Sequence, residues 1–247
     1  MELREYEQLL PNAELDGITF LTPNAHCLWR VETLYTKEPD TIAWIQGMQP
    51  GEVLYDVGAN MGQYSLYAAH RGIVVHAFEP EAQNFALLCR NVAINKLSDK
   101  VHAWPLALAE KPGIAELHLS TIMAGGSCHA YDKSLDFHGN EKQFPFIQGS
   151  MATTIDIFSA KYAPPDHIKI DVDGFEHLVI DGAINTLPKV KSVLIEINTH
   201  YDLHMNHLLP LMARAGFTYD EAQAATSRRQ EGPFKGVGNC IFYRSYK

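Results

Sequence analysis

The stretch "VLYDVGANMGQYS", residues 53–65, places an acid, Asp56, and two glycines, Gly58 and Gly62, between residues of strand character and residues of helical character. A dinucleotide-binding turn carries GxGxxG and a phosphate loop carries GxxxxGK[ST]; neither pattern occurs here. A carboxylate ahead of a glycine turn repels a pyrophosphate but suits a cationic ammonium group. Glu79, at the end of the next strand-like run "IVVHAFEP", stands where a carboxylate can accept hydrogen bonds from both hydroxyls of a ribose. Ribose plus amino acid points to S-adenosylmethionine as the ligand.

A second block of acids lies in "KIDVDGFE", with Asp171, Asp173 and Glu176. If the strand continues through it, Asp171 and Asp173 share one face near its carboxyl end, while Glu176 enters the following helix. Methyl transfer is an in-line displacement at a sulfonium carbon, so the protein aligns donor and acceptor and removes a proton where an alkyl hydroxyl needs it. Asp171 or Asp173 is expected to position the acceptor hydroxyl and act as base, with Lys169 or a cation moderating the crowded negative charge. The plainer role for Asp173 and Glu176 is to cap the helix and fix the turn at Gly174. Two acids at one strand end can also hold Mg²⁺, but a divalent metal is not favoured.

Histidines form a third group in "NTHYDLHMNH", where His200, His204 and His207 are spaced to share a helix face. No Cys or Glu nearby completes a zinc set, so a substrate-lining or solvated helix is the stronger reading, with His200 a candidate second base. Glu196 and Asn198, two apart on "VLIEIN", face one side and are expected to line the acceptor pocket.

These residues need elements to hold them. The chain has 247 residues, 46% of them hydrophobic, enough for one α/β domain with a sizeable core. Residues 1–50 read as an N-terminal helical cap and residues 51–247 as the ligand-binding domain of a single globular unit. Short strands alternate with helical segments from Val53 onward, as in βαβ units around a parallel sheet. "VHAWPLALA" and "IAELHLS" read as strands, residues 121–149 as an irregular inserted loop of the kind that forms lids or binding elements, and "FTYDEA" with "NCIFYRSYK" as a last pair at an antiparallel edge. The formal net charge of −9 leaves no basic face for a nucleic acid or an anionic membrane surface. Four cysteines without a CxxC pair, a start without an apolar leader core and the lack of a long apolar run suggest a reduced, cytoplasmic protein.

In "YDVGANMGQYSLYAA", "AFEPEAQNFALLCRNVAIN", "LALAEKPGIAELHLS", "TTIDIF" and above all "IKIDVDGFEHLVIDGA", the chain resembles the FkbM-type S-adenosylmethionine-dependent methyltransferases. The pieces follow the family's order over roughly residues 38–198. Asp173 stands where the family more often has Glu, and the carboxylate is retained. The resemblance implies the Rossmann-like class I methyltransferase fold, a seven-stranded mixed sheet with helices on both faces, and methyl transfer, commonly to a hydroxyl oxygen of a small-molecule acceptor. Carried over, it implies that Asp56, Gly58, Asn60 and Gly62 shape the methionine pocket and that Glu79 holds the ribose, with Ala59 and Pro80 also in the cofactor site. Tyr64 and Ser65 would line the pocket at a helix start whose free N–H groups hold the cofactor carboxylate. S-adenosylhomocysteine would be the product. Two other functions compete: a module that binds adenosylmethionine without transferring its methyl group, and an NAD-dependent oxidoreductase, which the missing middle glycine and the acid before the turn disfavour.

Overall fold

The computed structural model describes residues 10–245. It opens with a hairpin of β1 (Asn12–Leu15) and β2 (Ile18–Leu21), turned by Asp16 and Gly17 at φ 51° and 76°. Two consecutive positive φ values match the right-handed twist of the flanking strands, and Asp-Gly is a favoured pair for that turn. The N-terminal cap therefore contains a strand pair as well as its helices α1 (Ala25–Glu32) and α2 (Pro39–Gln46). Asn24 caps α1 by accepting the Cys27 N–H at 2.9 Å, and Pro39 begins α2 where its missing N–H leaves nothing unpaired. The Trp44 indole donates to Ser192 Oγ at 2.8 Å and ties the cap to the main sheet.

Next come β3 (Val53–Val57), α3 (Gln63–His70), β4 (Val74–Phe78), α4 (Ala82–Ile94) and β5 (Val101–Trp104). Pro105 then interrupts the expected strand "VHAWPLALA", since proline has no N–H for a ladder, and the chain leaves the sheet. A second, four-stranded sheet follows, built from β6 (Ala107–Leu108), β7 (Gly113–Leu119), β8 (Ala130–Tyr131) and β9 (Phe146–Thr153) in the order β6-β9-β7-β8. Residues 121–149, expected as an irregular loop, thus supply β8 and the start of β9. The chain returns through α5 (Ile155–Ser159), β10 (His167–Ile170), α6 (Glu176–Asp181) and β11 (Ser192–Asn198). A π-turn over His204–Leu208 then runs into α7 (Leu209–Arg214), and β12 (Phe217–Tyr219), α8 (Glu221–Ser227) and β13 (Val237–Arg244) finish it.

The seven strands of the main sheet lie in the order β12-β13-β11-β10-β3-β4-β5, and β13 runs antiparallel to both of its neighbours. The reversed strand therefore sits one place inside the edge, between β11 and β12. Helices cover both faces. Leu54, Val75 and Leu66 belong to one core with Ile45 of α2 and Leu88 of α4; Tyr55, Val57, Ile168, Ile170 and Ile195 belong to the other, with Phe158 of α5 and Val179 of α6. Alternate residues of a strand serve opposite faces, so Asp56 shares the face of Leu54, toward α3. Lys169 is paired in register with Asp56 and shares that face.

Candidate active site

The loop after β3 is fixed by the protein before any ligand acts on it. The N–H groups of Gly58 and Ala59 both donate to Phe78 O at 3.0 Å, which ties the loop to the end of β4. Gly58 has φ 82°, and a Cβ there would stand 2.0 Å from the Asp171 carbonyl oxygen. At Gly62, φ is 86° and a Cβ would meet Leu88 Cδ1 at 2.4 Å. Both glycines are thus required by neighbouring backbone or helix. Asn60, at φ 52°, donates its backbone N–H to Glu79 Oε2 at 2.7 Å, and the Glu81 N–H donates to Glu79 Oε1 at 3.0 Å. Each carboxylate oxygen keeps a lone pair for another donor. Burial pushes the Glu79 carboxyl up to about 7, against the pull of those two backbone bonds.

Above this loop lies a cavity of about 330 Å³, within the range of small-ligand sites. Val57, Phe78, Leu106, Leu108 and Leu117 give it an apolar end beside Glu79 and Pro80, suited to a nucleoside base. The segment Ala124–Ser127 roofs it and is held from three elements. Asn60 Nδ2 and Asn84 Nδ2 donate to Gly126 O at 2.7 and 3.0 Å, and the Gly125 N–H donates to Asn84 Oδ1 at 2.7 Å. Arg30 Nε donates to Gly125 O at 2.9 Å, and Asn24 Nδ2 to Ala124 O at 2.9 Å.

Another part of the lining is acidic. β10 stops at Ile170, so strand alternation does not bring Asp171 and Asp173 together; a turn does, with Asp173 at φ 55° and Gly174 at 105°. Asp171 lines the cavity, and its Oδ2 accepts from Lys169 Nζ at 3.1 Å. Lys169 is buried, with Asp56 Oδ1 at 4.0 Å and the Tyr64 ring centroid at 5.1 Å. Burial opposes its charge, but Asp171, Asp56 and Glu38 outweigh that and keep it protonated. Asp173 also lines the cavity and accepts the Cys128 N–H at 2.6 Å; burial, then the charge of Asp171, pushes it up to about 6. Glu196 faces the same space, raised well above the usual carboxylate range by burial and by Asp171, with Arg229 Nη2 opposing at 3.3 Å from its Oε1.

Of the residues expected at the site, Gly58, Asn60, Glu79, Pro80, Asp171 and Asp173 line the cavity. Asp56, Ala59, Gly62, Tyr64 and Ser65 do not; Asp56 accepts from Ser65 Oγ at 2.6 Å and is sealed beneath α3, as its strand parity dictates. Lys169 acts on the cavity only through Asp171. Glu176 is buried and takes the turn-fixing role, accepting the N–H groups of Val172 at 3.0 Å and Gly174 at 3.1 Å. His200 is exposed and off the cavity wall. His204 Nδ1 accepts the Asn198 N–H at 3.0 Å, and its Nε2 lies 3.0 Å from Glu176 Oε2 without good alignment. His207 pairs with Asp181 at 2.8 Å, so the three histidines do not converge on one site. Asn198 anchors Phe137 O rather than facing a ligand. Among the described residues no cluster of three His, Cys, Asp or Glu side chains is arranged to hold a metal ion, all four cysteines are free thiols, and no helix is long and apolar enough to cross a membrane. Sequence reasoning missed Arg30, Asn84, Ser127, Arg229 and Phe234. They reach the site from distant parts of the chain; Asn84 lies in a segment that carries the family resemblance and Ser127 in the inserted segment 121–149, but no local pattern marks either residue.

The Methyltransferase FkbM domain model matches residues 56–219 of this chain. The 31-O-demethyl-FK506 methyltransferase FkbM of Streptomyces tacrolimicus is 26% identical over 196 residues, 69% of this chain and 74% of that protein. The hexuronic acid methyltransferase AglP of Haloferax volcanii is 26% identical over 197 residues, 77% of this chain and 75% of its own. Among solved structures, an rRNA methylase from Streptococcus thermophilus superimposes with a TM-score of 0.50 at 9% identity, covering 84% of this chain and 93% of that one, a likeness of fold alone. With its sheet order, its loop after β3 and its match from Asp56 to Tyr219, the chain belongs to the FkbM family of S-adenosylmethionine-dependent methyltransferases.

Proposed function

We propose that this methyltransferase modifies a hydroxyl oxygen on a small, oxygen-rich acceptor such as a sugar or a hydroxylated secondary metabolite. The observation that carries the reading is Asp171. It is a cavity-lining carboxylate whose Oδ2 is held by a buried lysine at 3.1 Å, and whose Oδ1 has no partner among the described residues. S-adenosylmethionine, when bound, supplies an electrophilic methyl on a sulfonium. Glu79 would accept from its ribose hydroxyls, Gly58 and Asn60 would hold the methionine portion, and Pro80 with Leu106 and Leu108 would enclose the base.

Lys169 holds one oxygen of Asp171 and fixes its orientation. The free oxygen of Asp171 then accepts the proton of the acceptor hydroxyl as that oxygen attacks. Asp173 and Glu196, both pushed toward the neutral form, orient neighbouring hydroxyls by hydrogen bonding. Trp29 and Phe234 add aromatic surface to the cavity wall, which supports a ring-shaped acceptor. The names of the two relatives, which act on 31-O-demethyl-FK506 and on hexuronic acid, support a small acceptor of this kind. The acidic balance of the chain supports a partner other than nucleic acid or membrane.

The test couples binding to turnover. Calorimetry with S-adenosylhomocysteine establishes the cofactor site, and transfer from labelled S-adenosylmethionine is screened over sugars, uronic acids and hydroxylated metabolites. Asp171→Asn is expected to lower turnover on any acceptor found by about 10²- to 10⁴-fold while cofactor affinity holds. Unchanged turnover removes Asp171 as base. Cofactor binding with no transfer in the whole screen favours the non-catalytic binding module.

A further inference from the structure

Three arginine or lysine side chains line the cavity: Arg30, Lys37 and Arg229. Two of them are already neutralised. Lys37 Nζ lies 2.7 Å from Glu38 Oε1, and Arg229 Nη2 lies 3.3 Å from Glu196 Oε1. Arg30 differs. It is only 8% exposed, its Nε–H donates to Gly125 O at 2.9 Å, and its remaining N–H groups have no hydrogen-bond or ion-pair partner among the described residues. A guanidinium stays charged at every accessible pH and has five donors. With its side chain on the cavity wall and only one donor paired, it has donors left over for an anion that enters the cavity.

We infer that Arg30 receives the carboxylate of the bound cofactor, an inference that rests on the adenosylmethionine reading above. Its position selects this anion. Arg30 grips Gly125, the adjacent Gly126 O is held by Asn60, and the Asn60 N–H holds Glu79. The guanidinium is therefore tied through the roof to the loop that carries Glu79, and its charge also reaches Asp173, so it is placed to meet the amino-acid end of an adenosyl ligand. The partner that the sequence suggested for that carboxylate, the first N–H groups of α3, is not on the cavity wall: Gly62, Gln63, Tyr64 and Ser65 are all absent from it. His26, which does line the cavity, is held toward its neutral form by burial and by the charge of Arg30 itself, so it supplies no competing cation. Arg30 is the charge that remains.

The carboxylate can be tested by removing it from either partner. Titration calorimetry compares S-adenosylmethionine with its decarboxylated analogue, which keeps the sulfonium, methyl and ammonium groups, on the wild type, Arg30→Met and Arg30→Lys. The wild type is expected to favour the carboxylated ligand by on the order of 10- to 100-fold, as for a hydrogen-bonded charge pair. In Arg30→Met that preference collapses while affinity for the decarboxylated analogue stays near wild type, and Arg30→Lys recovers part of it. Equal wild-type affinity for the two ligands overturns the inference, and so does a variant that keeps the preference, which assigns Arg30 to the acceptor. A variant that weakens both ligands equally also overturns it, because Arg30 then serves only to hold Gly125. If Arg30→Met fails to fold, Arg30→Lys decides: a reduced preference supports the inference and an unchanged one overturns it. Wild-type protein that binds neither ligand refutes the cofactor reading itself, a result distinct from all of these.

Discussion

Glu79 makes cofactor binding a titration. Its carboxyl titrates near 7 in the free protein, against about 4.5 for an ordinary glutamate, because burial penalises the charge more than its two backbone hydrogen bonds favour it. Ribose hydroxyls donate to the ionised form, so bound cofactor lowers this pKa and binding weakens as the group protonates. With a value of about 7, about 10% of the free protein is protonated at about pH 8 and about 90% at about pH 6, so the wild-type dissociation constant for S-adenosylhomocysteine rises about tenfold across that interval. At about pH 7 binding releases about half a proton, read as a dependence of calorimetric enthalpy on the ionisation enthalpy of the buffer. Glu79→Gln abolishes both signals. It also loses about 1.5–3 kcal/mol of binding at about pH 8, because one acceptor of a charge-assisted pair becomes an amide nitrogen facing a backbone N–H. A flat wild-type profile between about pH 6 and 8, or a Glu79→Gln protein with the wild-type slope, refutes the assignment of Glu79 to the ribose.

Gly58→Ala places a methyl group 2.0 Å from the Asp171 carbonyl at φ 82°, so it is expected to destabilise the fold by more than about 3 kcal/mol and to disrupt Asp171 as well, measured by denaturant unfolding. Asn84→Ala leaves the Gly125 N–H without its partner and Gly126 O with Asn60 alone; a loss of about 1–3 kcal/mol is expected, with faster amide exchange in residues 124–127, and unchanged exchange contradicts the role of Asn84 in holding the roof. Treatment with EDTA is expected to leave turnover unchanged, since Lys169 supplies the positive charge beside Asp171; loss of activity restored by Mg²⁺ refutes this.

The alternation of strand and helix from Val53 to Asn198 was legible because periodicity and glycine turns mark it directly. The acid at the end of each of two strands was equally legible, but the direction of the first was not drawn from the pattern. Asp56 shares strand parity with Leu54, so it belongs beneath α3 with Ser65 and Lys169, and alternation within "VLYDV" contains that fact. The turn over Asp171–Gly174 was harder, because only the left-handed φ of Asp173 ends the strand early, and Asp is one of the few residues that tolerates it. The Asp16-Gly17 hairpin carried a readable signal. Arg30 and Asn84 carried none, since each meets Gly125 across a long loop and no local pattern encodes such a meeting.

Placing β13 between β11 and β12 also constrains biosynthesis. As the chain leaves the ribosome, β3, β4, β5, β10 and β11 can pair in turn, but β11 presents an open ladder edge until Val237–Arg244 arrive. β12, although translated earlier, has no ladder partner before then, because β13 alone joins it to the sheet. A nascent chain at that stage displays the apolar run Val193, Leu194, Ile195 and Ile197 along an unpaired strand, the feature through which chains pair with one another. Slow synthesis through residues 199–236, or a stop codon before residue 237, therefore favours aggregation over a partly active enzyme, and chaperone dependence should be concentrated in that late interval.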